Sequence, residues 1–224
     1  VSAEQQVISR QRTRDHGEVY TAAREVNAML DLVKAETERI ESRFLEPACG
    51  NGNFLVEVLK RKLAVVADRY SKSQAEFDRY AVLAVSSLYG IDILRDNVEA
   101  CRERLFSVFN GFYQKTYKAD ASAAYAATAR YILGKNIVWG DALDLRRGDG
   151  SGEAIIFSEW SPVNGAMMKR RDFTFEGLVE DTVREEDTLF RHTSDSGKEV
   201  FIPKPIKEHD LTHYLRLVDV HDEL

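Results

Sequence analysis

The sequence predicts an α/β fold, a parallel sheet with helices on both faces and a shortened C-terminal part. Three observations predict it. Short apolar runs alternate with long segments of helical periodicity as far as Phe157. A glycine turn joins the first apolar run directly to a helix. Beyond Trp160 only 64 residues remain, many of them charged, and the alternation weakens.

The elements follow in order. The chain opens with a polar arm and then a helix reaching about Lys34, with Val26, Met29, Leu30 and Val33 on one face. Arg43 to Glu46 is a short strand running into the loop Pro47 to Asn53; a helix follows with Phe54, Leu55, Val58 and Leu59 apolar. A second long helix, Gln74 to Leu88, leads to the strand Tyr89 to Asp92, which ends in an acid. Arg95 to Phe109 reads as helix, and an Ala- and Tyr-rich helical piece reaches Leu133. Asn136 to Trp139 is a third strand, followed by Gly140-Asp141. Arg146 to Gly152 is a loop by composition, and Ala154 to Phe157 a fourth strand. Glu176 to Lys198 reads as loop and short helix, and Phe201 to Pro205 as at most an edge strand, because its two prolines remove ladder donors. The division expected is an N-terminal arm and helical segment over 1–42, then an α/β domain over 43–224 whose C-terminal region is atypical from about 161.

Composition narrows the function classes. The 224 residues carry a formal net charge of −6, so the surface as a whole does not attract a polyanion, and a nucleic-acid partner would need locally clustered cations or a second subunit. Two cysteines, Cys49 and Cys101, are too few for a disulfide framework. No apolar run approaches a membrane span, and the first residues lack a signal-peptide core. A cytoplasmic setting without membrane contact is expected.

A strand, a glycine turn and a helix make a nucleotide-type site, because glycine lets backbone approach a ligand and the helix N-terminus offers free N–H groups. Gly50-Asn51-Gly52 lacks the third glycine of the dinucleotide fingerprint, and no Gly-Lys-Ser/Thr follows, which excludes a P-loop. Alone, the glycine pair could equally be a tight turn.

The full order is more specific: Phe44-Leu45-Glu46-Pro47-Ala48-Cys49-Gly50-Asn51-Gly52-Asn53-Phe54-Leu55, then Gly90-Ile91-Asp92-Ile93, then Gly140-Asp141-Ala142-Leu143. It resembles the Rossmann-like class I S-adenosylmethionine (SAM)-dependent methyltransferases, in particular the adenine-N6 DNA methyltransferases of restriction–modification systems. Gly17-Glu18-Val19-Tyr20-Thr21 is similar to the segment that precedes the glycine loop there. The resemblance covers about residues 13–158. It implies SAM as cofactor. The loop from Glu46 to Gly52, with Pro47, Ala48 and Gly50, would wrap its methionine end, Tyr20 and Thr21 would close over it, and Asn53 and Phe54 are cofactor-binding candidates beside it. Asp92, beside Ile93, would accept the ribose hydroxyls; Asp141 would accept the adenine amino group, with the Ala142 N–H facing a ring nitrogen. Read singly, Asp92 and Asp141 could be helix caps and Tyr20 ordinary packing.

The resemblance also locates the chemistry. The adenine amine is a poor nucleophile, and the family flips the base out. An Asn/Asp-Pro-Pro-Tyr/Phe segment at the end of the fourth strand then accepts the amine hydrogens and stacks on the base. This chain has Ser158-Glu159-Trp160-Ser161-Pro162 there, and no alignment supplies both groups. Ser158 or Glu159 as acceptor and Trp160 as stacking ring are the catalytic candidates; a carboxylate can replace the amide. The alternative is a silent SAM-fold subunit that binds or regulates a partner, and a third option is methylation of RNA, protein or a small molecule.

A DNA target-recognition domain does not fit in the remaining 64 residues, so DNA specificity is expected from a separate subunit or domain, with a protein partner or homo-oligomer. Lys169-Arg170-Arg171 could touch phosphates or form a solvated loop. Ser161 to Met168 could be a partner contact, and Asn164-Gly165 reads as a turn, with a substitute polar group for the replaced motif as the alternative. His209 and His213 have a metal-ligand spacing, but no third ligand is apparent and no metal site is expected.

Overall fold

The computed structural model describes residues 21–119, 121–179 and 203–219. The elements named here are α1 (Ala23–Asp31), α2 (Lys34–Thr37), β1 (Phe44–Glu46), α3 (Asn53–Tyr70), α4 (Gln74–Ser86), β2 (Leu88–Asp92), α5 (Arg95–Tyr117), α6 (Ala123–Asn136), β3 (Ile137–Asp141), β4 (Arg146–Arg147), β5 (Ile156–Asn164), β6 (Met167–Thr174), α7 (Phe175–Val179), β7 (Lys207–Glu208) and β8 (Thr212–His213), then a 3-10 turn over Tyr214–Asp219.

The helices start where local chemistry stops the backbone from continuing extended. The Ser73 hydroxyl accepts the Glu76 N–H ahead of α4, and the Ser122 hydroxyl accepts the Tyr125 N–H ahead of α6. Helix α1 buries Val26 and Leu30 but leaves Met29 exposed, and Val33 lies beyond its end and is exposed too, so its apolar face is narrower than the sequence suggests.

Two sheets form. In the first, β1 pairs with β2 and β2 with β3, both parallel, and β4 closes antiparallel on β3, in the order β1-β2-β3-β4. The loop expected over residues 146–152 therefore begins with a strand pair that holds the end of β3. β2 is buried at every residue, as parallel strands covered on both faces are.

Alternate residues of β2 point to opposite faces. Leu88 joins the large apolar cluster built by α1 and α3 to α6, including Leu55, Leu59, Leu63, Phe77, Leu105 and Ile132. Tyr89 and Ile91 join Ile155, Phe157 and Phe175 instead. The second face is thus covered by β5 and the five-residue α7, where the sequence predicted full helices on both faces.

The fourth strand is the main correction. It does not extend the parallel sheet. It forms a hairpin with β6, and β6 pairs with β7 and β8, all antiparallel. The register slips between Pro162 and Asn164, a bulge that absorbs the proline, and the expected Asn164-Gly165 turn closes the hairpin, with Gly165 at φ 53°. Ser161 to Met168 is therefore the hairpin end, with Met168 buried in the main cluster. The expectation for Phe201-Ile202 lies outside the described residues; Pro203 and Pro205 are in neither helix nor strand.

The direction of β5 matters for the site. Ile155 lies under Gly140 at the C-terminal end of β3, where an added Cβ would be 2.8 Å from its Cδ1. Phe157 packs edge-on to Tyr89 in β2, centroids 5.3 Å apart. Glu159 reaches Arg43, the residue before β1. β5 therefore crosses the sheet from the C-terminal ends of the parallel strands to their N-terminal ends. Among the described residues, no helix is long and apolar enough to cross a membrane.

Candidate functional site

The glycine loop stands at the C-terminal edge of the parallel strands. β1 delivers the chain to it, and the Cys49 N–H donates to Ile91 O (2.8 Å), which hangs the loop over β2. Gly50 and Gly52 both have positive φ, 51° and 89°, which L side chains rarely adopt. Gly52 has a second reason to be glycine: a Cβ there would lie 2.6 Å from Cys101 Sγ on α5. Helix α3 starts immediately afterwards, the Val56 N–H donating to Gly52 O.

Asp92 ties this loop to the next strand. Its Oδ2 accepts the Gly50 N–H (2.8 Å), and its Oδ1 accepts the Leu94 N–H (2.8 Å) and Asn97 Nδ2 (3.2 Å). Asp92 does not cap α5, whose N-cap is Leu94 without a side-chain cap bond; one oxygen of its carboxylate holds the turn into α5 and the other holds the loop. A carboxylate offers about four lone-pair sites. Three are taken here, so Asp92 has room for one ribose hydroxyl rather than the two expected.

Around it, Asn53 Nδ2 donates to Thr21 O (3.0 Å), bringing the N-terminal segment against the loop. Arg104 donates to Asn53 Oδ1 (2.8 Å) and Asn51 O (2.8 Å), clamping the loop from α5. Tyr20 lies outside the described residues. Burial pushes the half-buried Glu46 carboxyl up, against the opposing Ala48 N–H. Ile93 exposes its side chain beside this edge, and its carbonyl accepts Trp139 Nε1 (3.0 Å). Asp141 caps its own turn, Oδ1 accepting from Leu143 N (2.8 Å), while Ala142 packs towards the second apolar cluster. Phe54 packs against the main core, and Pro47 and Ala48 are exposed. The parts missed in the sequence are Arg104, Asn97 and Cys101, residues of α5 with no motif around them.

The structure brings these residues to one edge and does not bring the catalytic candidates with them. Glu159 pairs with Arg43 and with Arg171 (3.4 Å) at the N-terminal ends of the strands. Ser158 is 1% exposed, donates to Asp172 Oδ1 (2.7 Å), and its carbonyl accepts the Tyr89 hydroxyl (3.2 Å). Trp160 is 4% exposed in the main core beside Tyr131, centroids 6.0 Å apart. A ring buried there has no face for a base, and a carboxylate held by two arginines is a structural clamp. The sequence expectation fails here because β5 runs against the parallel strands instead of beside them.

No family model, curated protein or solved structure matches the chain.

The remaining sequence candidates also resolve into structure. Arg170, 6% exposed, donates to both Asp172 oxygens (2.8 Å each) and to Tyr131 Oη (2.7 Å), and His209 Nε2 meets Asp172 Oδ2 (2.8 Å). Burial pushes the Asp172 carboxyl up, but bonds from Arg170, Ser158 and His209 and the Arg170 charge outweigh it and hold it below its ordinary range. Lys169 pairs with Glu208 (3.1 Å), so all three cations of that run meet carboxylates. His209 and His213 are not on a helix: His209 belongs to Asp172, and His213 Nδ1 accepts the Leu215 N–H (3.2 Å).

Proposed function

We propose that this chain is the SAM-binding part of an adenine-N6 DNA methyltransferase of a restriction–modification system, working with a partner that supplies DNA recognition and the groups that hold the flipped adenine. The observation that carries the first half is Asp92, an acid at the end of the second parallel strand bonded to the Gly50 N–H of the glycine loop. The loop, Asp92 and Asp141 stand on one edge of three parallel strands in the sequence order the resemblance implies. SAM, when bound, supplies an electrophilic methyl group. Gly50 and Asn53 would face its methionine end, the remaining lone pair of Asp92 would accept one ribose hydroxyl, and Ile93 would give the adenosyl group an apolar contact.

The second half rests on where Ser158, Glu159 and Trp160 sit. With these committed to the core and to Arg43, the chain's own candidates for holding an adenine are at the wrong end of the sheet. The same observation favours the second reading, a SAM-fold subunit that transfers no methyl group and regulates its partner.

Calorimetric titration of the purified chain with SAM, beside Asp92→Ala, tests the pocket. Binding in the micromolar range that the variant loses is expected; no binding by the unaltered chain would sink the proposal. A labelled-methyl transfer assay on DNA with the partner present then separates an assisted enzyme from a silent subunit.

A further inference from the structure

Arg104 on α5 brings a positive charge to the glycine loop. Its Nη1 donates to Asn51 O (2.8 Å), Asn51 Oδ1 (2.5 Å) and Asn53 Oδ1 (2.8 Å). All three acceptors are neutral, so the half-buried guanidinium keeps its charge. Among the described residues it meets no carboxylate; Glu103, the residue before it, is held by Arg130 (2.7 Å). A charge drawn partly out of water and given only neutral partners is costly. A clamp made for the loop alone needs a donor at this place, not a charge.

The guanidinium is held in place by its surroundings. Cys101, one turn earlier on α5, lies against the loop, where a Cβ added to Gly52 would be 2.6 Å from its Sγ. Asn53, which accepts from Arg104, also donates to Thr21 O (3.0 Å). Nη1 is therefore committed, while Nε and Nη2 carry none of the three bonds. These two nitrogens form the edge with parallel N–H groups that matches a carboxylate in bidentate fashion.

The other charges at the loop are negative. Glu46 ends β1 just before it, and Asp92 holds the Gly50 N–H. Two carboxylates attract the cationic groups of a ligand and repel an anionic one. An amino-acid end brings both an ammonium and a carboxylate, and its carboxylate needs a cation from the protein.

We propose that Arg104 takes the carboxylate of the amino-acid end of SAM on its Nε–Nη2 edge, and so selects SAM against adenosyl compounds that lack that group. The proposal rests on the SAM reading given above and names the residue that decides which sulfonium nucleoside the loop accepts.

The test is calorimetric titration with SAM and with decarboxylated SAM, which keeps the adenosine, the sulfonium and the amine and lacks only the carboxylate. The unaltered chain, Arg104→Met and Arg104→Lys are compared, with circular dichroism to check that each is folded. The unaltered chain should bind SAM at least about tenfold more tightly than the decarboxylated compound. Arg104→Met should bind the two alike, and Arg104→Lys, which keeps the charge without the planar edge, should fall between. The ratio of the two affinities is the readout, because loss of the loop clamp alone weakens both ligands in proportion and leaves the ratio as it was. An unchanged ratio in folded Arg104→Met would overturn the role of Arg104. Equal affinity of the unaltered chain for the two compounds would overturn it as well, and that result needs no variant to fold. Binding of neither compound by the unaltered chain would overturn the SAM reading and this proposal with it, so the two failures are told apart.

Discussion

At the scale of the residue, the site and the core are both held by groups that have given up their usual freedom. Gly52 shows this best. Its φ of 89° and the 2.6 Å from an added Cβ to Cys101 Sγ penalise any side chain twice. Gly52→Ala should destabilise by more than about 1 kcal/mol, and Cys101→Ala in the same chain should recover the contact part of the loss but not the backbone part. A double-mutant cycle of thermal unfolding reads that coupling; strict additivity would mean that the thiol is not the obstacle. Lys62 is the second case. It is 0% exposed, with its ammonium on Ile40 O, Ser42 O and Ser87 Oγ. Burial pushes it down to about 7, with Glu41 and Glu36 pulling partly back. Between about 7 and its ordinary 10.5 the unfolded chain holds the proton that the folded chain has lost, so stability should rise with pH across that window. Lys62→Met should flatten that rise in denaturant titrations run at several pH values. Asp78 has the opposite sign. Burial pushes it up to about 6, and its Oδ1 is buried without a hydrogen-bond partner. Asp78→Asn should raise the melting temperature at neutral pH, where the carboxylate is otherwise forced to ionise.

At the scale of the element, the hairpin of β5 and β6 explains how much of this fold the sequence discloses. The first three strands and the helices between them are legible because each is apolar in the period its structure requires. The glycine loop is legible for the same reason its residues are needed: few other sequences turn that sharply. β6 is not legible, because Arg170 and Asp172 occupy inward positions where alternation calls for apolar side chains. Their charges are satisfied by each other and by Ser158, Tyr131 and His209, which lie 12 to 39 residues away along the chain. No local window contains that information. Arg104 is not legible for the same reason, its bonds to Asn51 and Asn53 spanning α3, α4 and β2. The network carries its own prediction. Asp172→Ala leaves a buried Arg170 without its counter-charge and should cost about 3–5 kcal/mol, read by urea unfolding. With a folded-state value below the ordinary one, Asp172 supports the fold above the carboxylate range; that support should be lost as pH falls below about 4.

At the scale of the whole molecule, β5 separates two groups of candidate residues that the sequence resemblance places at one edge. The glycine loop and Asp92 sit at the C-terminal ends of the parallel strands, while Glu159 and Trp160 sit at the N-terminal ends beside Arg43. β2 spans five residues, so the two ends are roughly 13 Å apart at about 3.3 Å per residue. Sites at that separation with no shared partner add within about 0.5 kcal/mol. Glu159→Gln, which removes the carboxylate charge facing Arg43 and Arg171, should therefore leave SAM affinity unchanged, and combined with Asp92→Ala it should lower stability by the sum of the single effects. Trp160→Ala should cost about 3–5 kcal/mol as a core truncation, yet the fraction still folded should bind SAM as the unaltered chain does. The measurement is SAM titration of both variants at a temperature where circular dichroism shows them folded. Weaker binding in either folded variant would mean that the strand reaches the cofactor after all, and the assignment of adenine-holding groups to a partner would then have to be withdrawn.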